Sequence, residues 1–397
     1  IDAASGKVLY DRRMDAHMYP ASTTKILTAL IAVEELDPEE KVKISENAAT
    51  QEGSSIYLTP GEEIRVIDLL YGMMLRSGND AAAAVAEAAA GDTQTFAQLM
   101  NERAEALGLQ NSHFVNPSGL QDENHYSSAY DLAMIAREAL THPLFREIVS
   151  AKTYQAERQG ADAYKYFYNK NKTMFQYEGA TGVKIGYTMA AGRCLVASAK
   201  REGTELIAVV LNDRQWFDDA YKLLDYGFDN FSYVTALSPL YPIDQVTVLN
   251  SAGSEAVAVA PAKDVRLLLP ANYNPDALRT EILLDAKEVE APVSEGQKLG
   301  LARVYYGNEL IDETDLLAIA DVTRSEVSSV ASTSTAYIQQ NWWKWIVFLI
   351  LGIIAAFLIL LVLLQIRRRR LRRLRLEKRR RDLEKQYRRR YRDDREE

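Results

Sequence analysis

The chain has 397 residues, 47% of them hydrophobic, with 47 Lys and Arg against 55 Asp and Glu and a single cysteine. That is more apolar material than one core absorbs, so two folded units with attachments are expected, and the lone Cys194 excludes an intramolecular disulfide framework and reads as a small buried apolar residue. The charge is divided: residues 365–397 carry 17 basic against 7 acidic side chains and residues 1–364 carry 30 against 48, which implies two different environments.

The first ten residues, IDAASGKVLY, alternate around the turn AASGK and predict a short hairpin. They contain no initiator methionine and no basic-then-apolar leader, so a mature form or fragment is expected, its export signal absent from this sequence. PASTTKILTAL follows at 20–30. A proline before an apolar run predicts a helix, and Ser22 and Lys25, three apart, share one of its faces at a reach of about 3 Å. A serine at a helix N-terminus beside a buried amine is an activated nucleophile that needs no histidine. The plainer reading is that Ser22 caps the helix.

Farther on, LLYGMML and DAAAAVAEAAA read as helical runs, the second expected at 79–90, interrupted by Ser77-Gly78-Asn79. A hydroxyl and an amide at alternate positions of that turn could relay a proton from Ser77 and let Asn79 donate to a substrate carbonyl and partner Lys25. The plainer reading is an interhelical turn with Asp80 as cap. Another helix is expected near 129–140; VKIGYT, RCLVASAK and TELIAVVLND then read as strands, with REG as the last turn, and DDAYKLLDYGFDNF as a closing helix. Residues 1–231 are therefore expected to form an α/β (α+β) unit with an antiparallel sheet. Within it, Lys184 on an edge strand could hold an anionic substrate, and the missing side chain of Gly186 would let a ligand backbone pair with that strand. Lys-x-Gly recurs at Lys298-Leu299-Gly300, which is assigned to an ordinary strand.

Residues 232–322 hold short β-rich runs (QVTVLN, AVAVAPA, VRLLLP, TEILLDA, KLGLARVYY) and predict a small all-β sandwich. Residues 323–341 are rich in Ser and Thr, lack helical periodicity and are expected to be a flexible stalk. Residues 345–364 read WIVFLILGIIAAFLILLVLL, 20 positions without a polar side chain, enough for about 30 Å of hydrocarbon. The transmembrane helix is set at 342–366, with Trp342, Trp343 and Trp345 at one interface and Arg367 to Arg370 at the other. This places 367–397 in the cytoplasm and the folded units outside. The basic tail is expected to lie as a helix on the anionic inner leaflet, with membrane lipids and not nucleic acid as its partner.

The order Ser-x-x-Lys, Ser-Gly-Asn, Lys-x-Gly, separated by 55 and 107 residues, is far more specific than any one motif. With PASTTKILTAL, LLYGMMLRSGNDAA, HFVNPSGL and GVKIGYTMAAGRCLVASA, the chain resembles the D-alanyl-D-alanine carboxypeptidases, the low-molecular-mass penicillin-binding proteins, over about residues 1–322. The resemblance implies a penicillin-binding/β-lactamase-like catalytic domain followed by a β domain. It implies that Ser22 attacks the carbonyl between the terminal D-alanines of a peptidoglycan stem peptide and forms an acyl-enzyme that water hydrolyses, with no cofactor or metal. Lys25 would be the base, its pKa lowered by burial and by Lys184; Ser77 and Asn79 would complete the catalytic set; the backbone N–H groups of Ser22 and Tyr187 would bind the oxyanion; β-lactams would acylate Ser22.

One departure stands out: the family has Lys-Thr-Gly where this chain has Lys184-Ile185-Gly186. Isoleucine keeps the strand but removes a hydroxyl that binds the terminal carboxylate, a loss of about 1.5–3 kcal/mol, or roughly 10- to 100-fold. A weakened enzyme is expected, with Arg214 as a substitute contact. Three other readings compete. A zinc peptidase would need clustered ligands, but His17, His113, His125 and His142 are scattered with no HExxH. A β-lactamase would not be expected to carry a tether and second β domain, and no counterpart of its deacylating glutamate is evident. An inactive relative that binds wall peptides would keep the fold without turnover.

Overall fold

The structure, a computed structural model, describes residues 1–159 and 164–393, without the side chains of 326–341 and 386–393. The chain divides into two compact units, one of Ile1–Ala236, Val265–Arg279 and Val304–Ile311, the other of Leu237–Asp264, Thr280–Arg303 and Asp312–Glu397.

In the first unit, α1 (Lys25–Glu35) is central. Ile26, Leu27, Ala29, Leu30, Ile31 and Ala32 are all buried, so the helix is apolar all round. It packs among α2 (Val66–Arg76), α3 (Asn79–Ala90), α4 (Thr93–Ala106), α5 (Ala129–Ala139) and α6 (Pro143–Ser150). Alanines at Ala81 to Ala84 and Ala86 are buried, small enough to bring α3 close to α1, α2 and α4. The sheet beside this bundle has the order β1 (Ala180–Thr188), β2 (Gly192–Arg201), β3 (Thr204–Val210), antiparallel throughout. β2 is in the middle and reads as a continuous buried run from Cys194 to Ala199. Helix α7 (Trp216–Asn230) packs on β2 and β3, and β1 is an edge strand among the described residues.

Two expectations change here. The N-terminal hairpin keeps its turn, closed by Asp2 N–H to the Lys7 carbonyl and Gly6 N–H to the Asp2 carbonyl at 2.9 Å each, but the only sheet pairing recorded for residues 1–10 is the single bridge Asp2–Leu206. The expected cut at 231 also moves. VRLLLP, assigned to the sandwich, is β7 (Val265–Pro270) and pairs with β4 (Phe231–Leu237). The reason is local bonding within the first unit: Tyr233 donates to Asp2 at 2.8 Å, Lys7 Nζ donates to the Leu268 carbonyl at 3.2 Å, and Arg266 covers the Tyr233 ring at 4.7 Å.

The second unit is built on a six-stranded sheet of β5 (Asp244–Leu249), β6 (Ala256–Pro261), β8 (Leu278–Leu284), β9 (Glu288–Glu290), β10 (Lys298–Tyr306) and β11 (Glu309–Ala318), in the order β8-β10-β11-β6-β5-β9. Lys298-Leu299-Gly300 opens β10, the ordinary strand expected.

The stalk is a correction. A single helix, α8 (Glu326–Asp393), covers most of 323–341, the apolar stretch and the tail without a break. Once the apolar stretch has nucleated a helix, adding flanking residues costs little, which weak periodicity in the flank did not reveal. Its Trp342–Lys385 portion is long and apolar enough to cross a membrane, with mean hydropathy 3.5 at its most apolar. Among the described residues nothing covers it: Phe348 and Leu349 are each 66% exposed. Residues 394–397 of the expected tail lie outside the described residues.

Candidate active site

Ser22 lies in a single 3-10 turn, Ala21–Thr24, before α1 begins at Lys25. The Pro20 carbonyl accepts from Thr23 N–H at 3.3 Å and from Thr23 Oγ1 at 2.7 Å, which ties the turn to its own first residue. No side-chain cap bond is made at either start, so Ser22 is not the cap. The shared face is realised instead, with Lys25 Nζ 3.0 Å from Ser22 Oγ.

Lys25 is fully buried. Its Nζ also reaches Asn79 Oδ1 at 2.7 Å and the Ser118 carbonyl at 2.6 Å. Both of these partners can only accept. A neutral amine has two N–H bonds and one lone pair, so the two acceptors take the protons and the lone pair is left facing the Ser22 hydroxyl. Burial pushes the Lys25 pKa well down; Lys184 lowers it further, Asp80 opposes, and Lys170 adds to the lowering.

The second motif forms because α2 ends at Ser77 in the left-handed conformation, φ 66°, and α3 starts two residues later at Asn79. Ser77 Oγ thereby meets Lys184 Nζ at 3.1 Å while Asn79 turns to Lys25. The Asn79 amide also donates to the Glu52 carbonyl, and its backbone N–H to the Ser54 carbonyl at 2.6 Å. Asp80 does more than a cap would. Its buried carboxylate accepts from Ser55 Oγ at 2.6 Å and from the N–H groups of Ile56 and Leu58 at 3.0–3.1 Å, so it fixes the segment beside Asn79.

On β1, Lys184 is buried and donates to Ser77 Oγ and, at 3.0 Å, to the Ile185 carbonyl. Burial and then Lys170 push its pKa down to about 7, so its charge is conditional on pH. Gly186 has a reason that the sequence did not disclose: a Cβ there would stand 3.0 Å from the Pro20 carbonyl and 3.0 Å from Ser22 N. Glycine lets β1 lie against the turn that carries Ser22. Ile185 is half-buried against the cluster of Leu195, Ala197, Leu206 and Leu224, and Tyr187 is exposed.

Arg214 makes no polar contact with this group. Among the described residues no hydrogen bond or ion pair joins it to Ser22, Lys25 or Lys184; its carbonyl accepts from Arg193 at 3.2 Å, and it lines a separate cleft of about 1130 Å³ with Tyr10, Val209 and Asp219. A smaller cavity of about 500 Å³ lies between Tyr19, Tyr126 and Ala191. Cys194 is buried with its thiol pushed up to about 11 by burial.

Ser118 and Asn116 carry roles that the motif search missed, although HFVNPSGL was singled out as a stretch. Asn116 Oδ1 accepts from the N–H groups of Ser118, Gly119 and Leu120, which curls the loop so that the Ser118 carbonyl faces Lys25. His17 and His113 both lie against the Tyr126 ring, at 4.4 and 6.1 Å. Among the described residues one carboxylate and histidine group, Glu34, Glu138 and His142, has metal-like spacing, but Arg103 already bonds Glu34 at 2.6 Å and Glu138 at 3.0 Å.

Residues 1–215 match the family model described as D-alanyl-D-alanine carboxypeptidase, and residues 237–324 match that of the penicillin-binding protein 5 C-terminal domain. The chain is 34% identical over 337 residues to the D-alanyl-D-alanine carboxypeptidase DacF of Bacillus subtilis, covering 82% of this chain and 85% of that one. It is 31% identical to DacC of Escherichia coli, covering 81% and 82%. Among solved structures it is similar to penicillin binding protein 5 from Haemophilus influenzae, with TM-score 0.63, 28% identity and coverage of 82% and 96%.

Proposed function

The chain belongs to the D-alanyl-D-alanine carboxypeptidase family, and from that premise we propose how its own residues divide the work. It is a serine-type D-alanyl-D-alanine carboxypeptidase, a hydrolase of cell-wall metabolism and a penicillin-binding protein that removes the terminal D-alanine of stem peptides through an acyl-enzyme. In our reading Ser22 Oγ attacks the carbonyl between the two D-alanines while Lys25 takes its proton. The oxyanion is held by the N–H groups of Ser22 and Tyr187. The C–N bond breaks, the departing D-alanine nitrogen receives a proton through Ser77, and water then cleaves the ester on Ser22. Lys184, with Ser77, faces the terminal carboxylate, and Asn79 orients both Lys25 and the substrate amide. Since the carboxylate end lies toward Lys184 and the reacting carbonyl at Ser22, the rest of the stem peptide leaves along the free edge of β1 toward Thr188.

The observation that carries this is the three-way environment of Lys25, buried, with two acceptors and the Ser22 hydroxyl. We further propose that residues 342–366 cross the membrane, with the folded units outside, and that 367–397 stay inside against anionic lipid. Release of D-alanine from a pentapeptide ending in D-Ala-D-Ala tests the assignment. Ser22→Ala and Lys25→Ala should each lose at least about 1,000-fold. Release by Ser22→Ala equal to the parent would overturn it.

A further inference from the structure

His125 is 2% exposed and lies against the nucleophile helix. Its Nδ1 is 3.2 Å from the backbone nitrogen of Val115, which can only donate, so Nδ1 is bare and the proton sits on Nε2. That Nε2–H donates to Thr24 Oγ1 at 2.8 Å. The ring meets Phe114 edge-on at 5.6 Å. Thr24 immediately precedes Lys25, and Val115 immediately precedes the Asn116 loop, so one imidazole joins the two pieces of backbone that set the base.

That loop is fastened to α1 and its preceding turn at three consecutive contacts: His125 to Thr24, the Ser118 carbonyl to Lys25 Nζ, and the Pro117 carbonyl to Thr28 Oγ1 at 2.7 Å. Thr24 and Thr28 are four apart on one helical face and straddle Lys25. Gly119 presses on the turn before α1, where a Cβ would overlap the Ala21 carbonyl and approach Thr24 Oγ1. Removing the His125 contact unties Thr24 from the loop and leaves the Ser118 carbonyl to the Pro117–Thr28 bond and the Asn116 curl.

We infer that His125 is a positioning residue for acylation: by joining Thr24 to the Val115–Ser118 segment it holds the Ser118 carbonyl on Lys25 and so keeps the lone pair of the amine on Ser22. The inference rests on the assignment of Ser22 and Lys25 made above. His125 suits the task because it stays neutral. Burial pushes its pKa down to about 4, with Asp122 opposing and His113 and Lys25 adding to the lowering, so it keeps one donor and one acceptor across the working range. The charged groups facing Lys25 are Lys184, Asp80 and Lys170, none of which contacts His125 through a hydrogen bond among the described residues.

The test is acylation by a labelled penicillin across pH, separating the non-covalent binding constant from the acylation rate constant, in the full chain and in His125→Phe, His125→Gln and Thr24→Val. Phenylalanine keeps the ring and loses both bonds; glutamine offers a donor and an acceptor; valine is the shape of threonine without the hydroxyl. His125→Phe and Thr24→Val should acylate about 10- to 100-fold more slowly with binding changed less than about 2-fold. Burial is the main cause of the low Lys25 pKa, so water entering the loosened loop should move the acid limb of the profile to higher pH. His125→Gln should stay within about 3-fold of the parent. Parental rates and profile in folded His125→Phe and Thr24→Val would overturn the inference, as would a rate loss that follows only the loss of thermal stability with the profile unmoved. Failure of the parent to form an adduct on Ser22 would overturn the assignment beneath it, a distinguishable result.

Discussion

Lys25 and Lys184 are two buried amines in one site, and each destabilises the fold in order to serve it. For Lys184 the ordinary value is 10.5 and the folded value about 7. Between those values the unfolded chain holds a proton that the folded chain lacks, so the contribution of this residue to stability rises with pH from about 7 upward and is at its worst below. Lys184→Met should therefore be more stable than the parent at pH 7, show a smaller gain in stability from pH 7 to 9, and acylate much more slowly; thermal melts across pH check this. Acylation itself needs Lys25 neutral and Lys184 charged, so the rate should fall at low pH through Lys25 and begin to fall above about pH 7 in the free enzyme through Lys184. At Ile185, half-buried against the Leu195 cluster, threonine would keep a methyl on that cluster and offer its hydroxyl to the groove. Ile185→Thr should acylate about 10- to 100-fold faster. That Ser22, Lys25, Ser77, Asn79 and Lys184 belong to one group was legible in residue type and spacing, and their side chains do meet. The Ser118 carbonyl was not, since every residue has one and only the fold decides where it points.

At the scale of elements, the site is held by close approaches between backbones. The helix after Pro20 was foreseen, but not its start as a 3-10 turn, because one turn of either helix has the same residue preferences. Gly186 shows what sequence reasoning assigned only in part: it was read as making room for a ligand, and it also makes room for Ser22. Gly186→Ala should slow acylation at least about 10-fold while costing only about 1–3 kcal/mol of stability, from forcing β1 off the nucleophile turn. Asp80 was read as a possible cap, yet three of its four donors lie in the segment 55–58, more than twenty residues away in sequence and invisible to local pattern. Asp80→Ala leaves buried donors without an acceptor and should cost about 2–5 kcal/mol, measurable by urea titration.

For the whole molecule, length, charge division and the apolar run foretold two folded units and a candidate span, and they did so because bulk composition is decided by solvent. They did not foretell how the strands are shared. Val265–Pro270 has the same β pattern as its neighbours, and its pairing with Phe231–Leu237 depends on contacts with Asp2 and Lys7 at the far end of the sequence. A chain ending at Arg324 should be soluble without detergent and acylate at the rate of the full chain, whereas the full chain should partition into lipid vesicles. Slow acylation by the shorter chain would give α8 a part in the chemistry. The central claim is that Ser22, served by Lys25, is the nucleophile. Its most direct test is the intact mass and peptide map of the protein after a labelled penicillin, with Ser22→Ala and Ile185→Thr alongside. One adduct on the peptide holding Ser22, formed faster in Ile185→Thr and absent from Ser22→Ala, is the expected result; an adduct on another residue, or none from folded parent and Ile185→Thr, would contradict it.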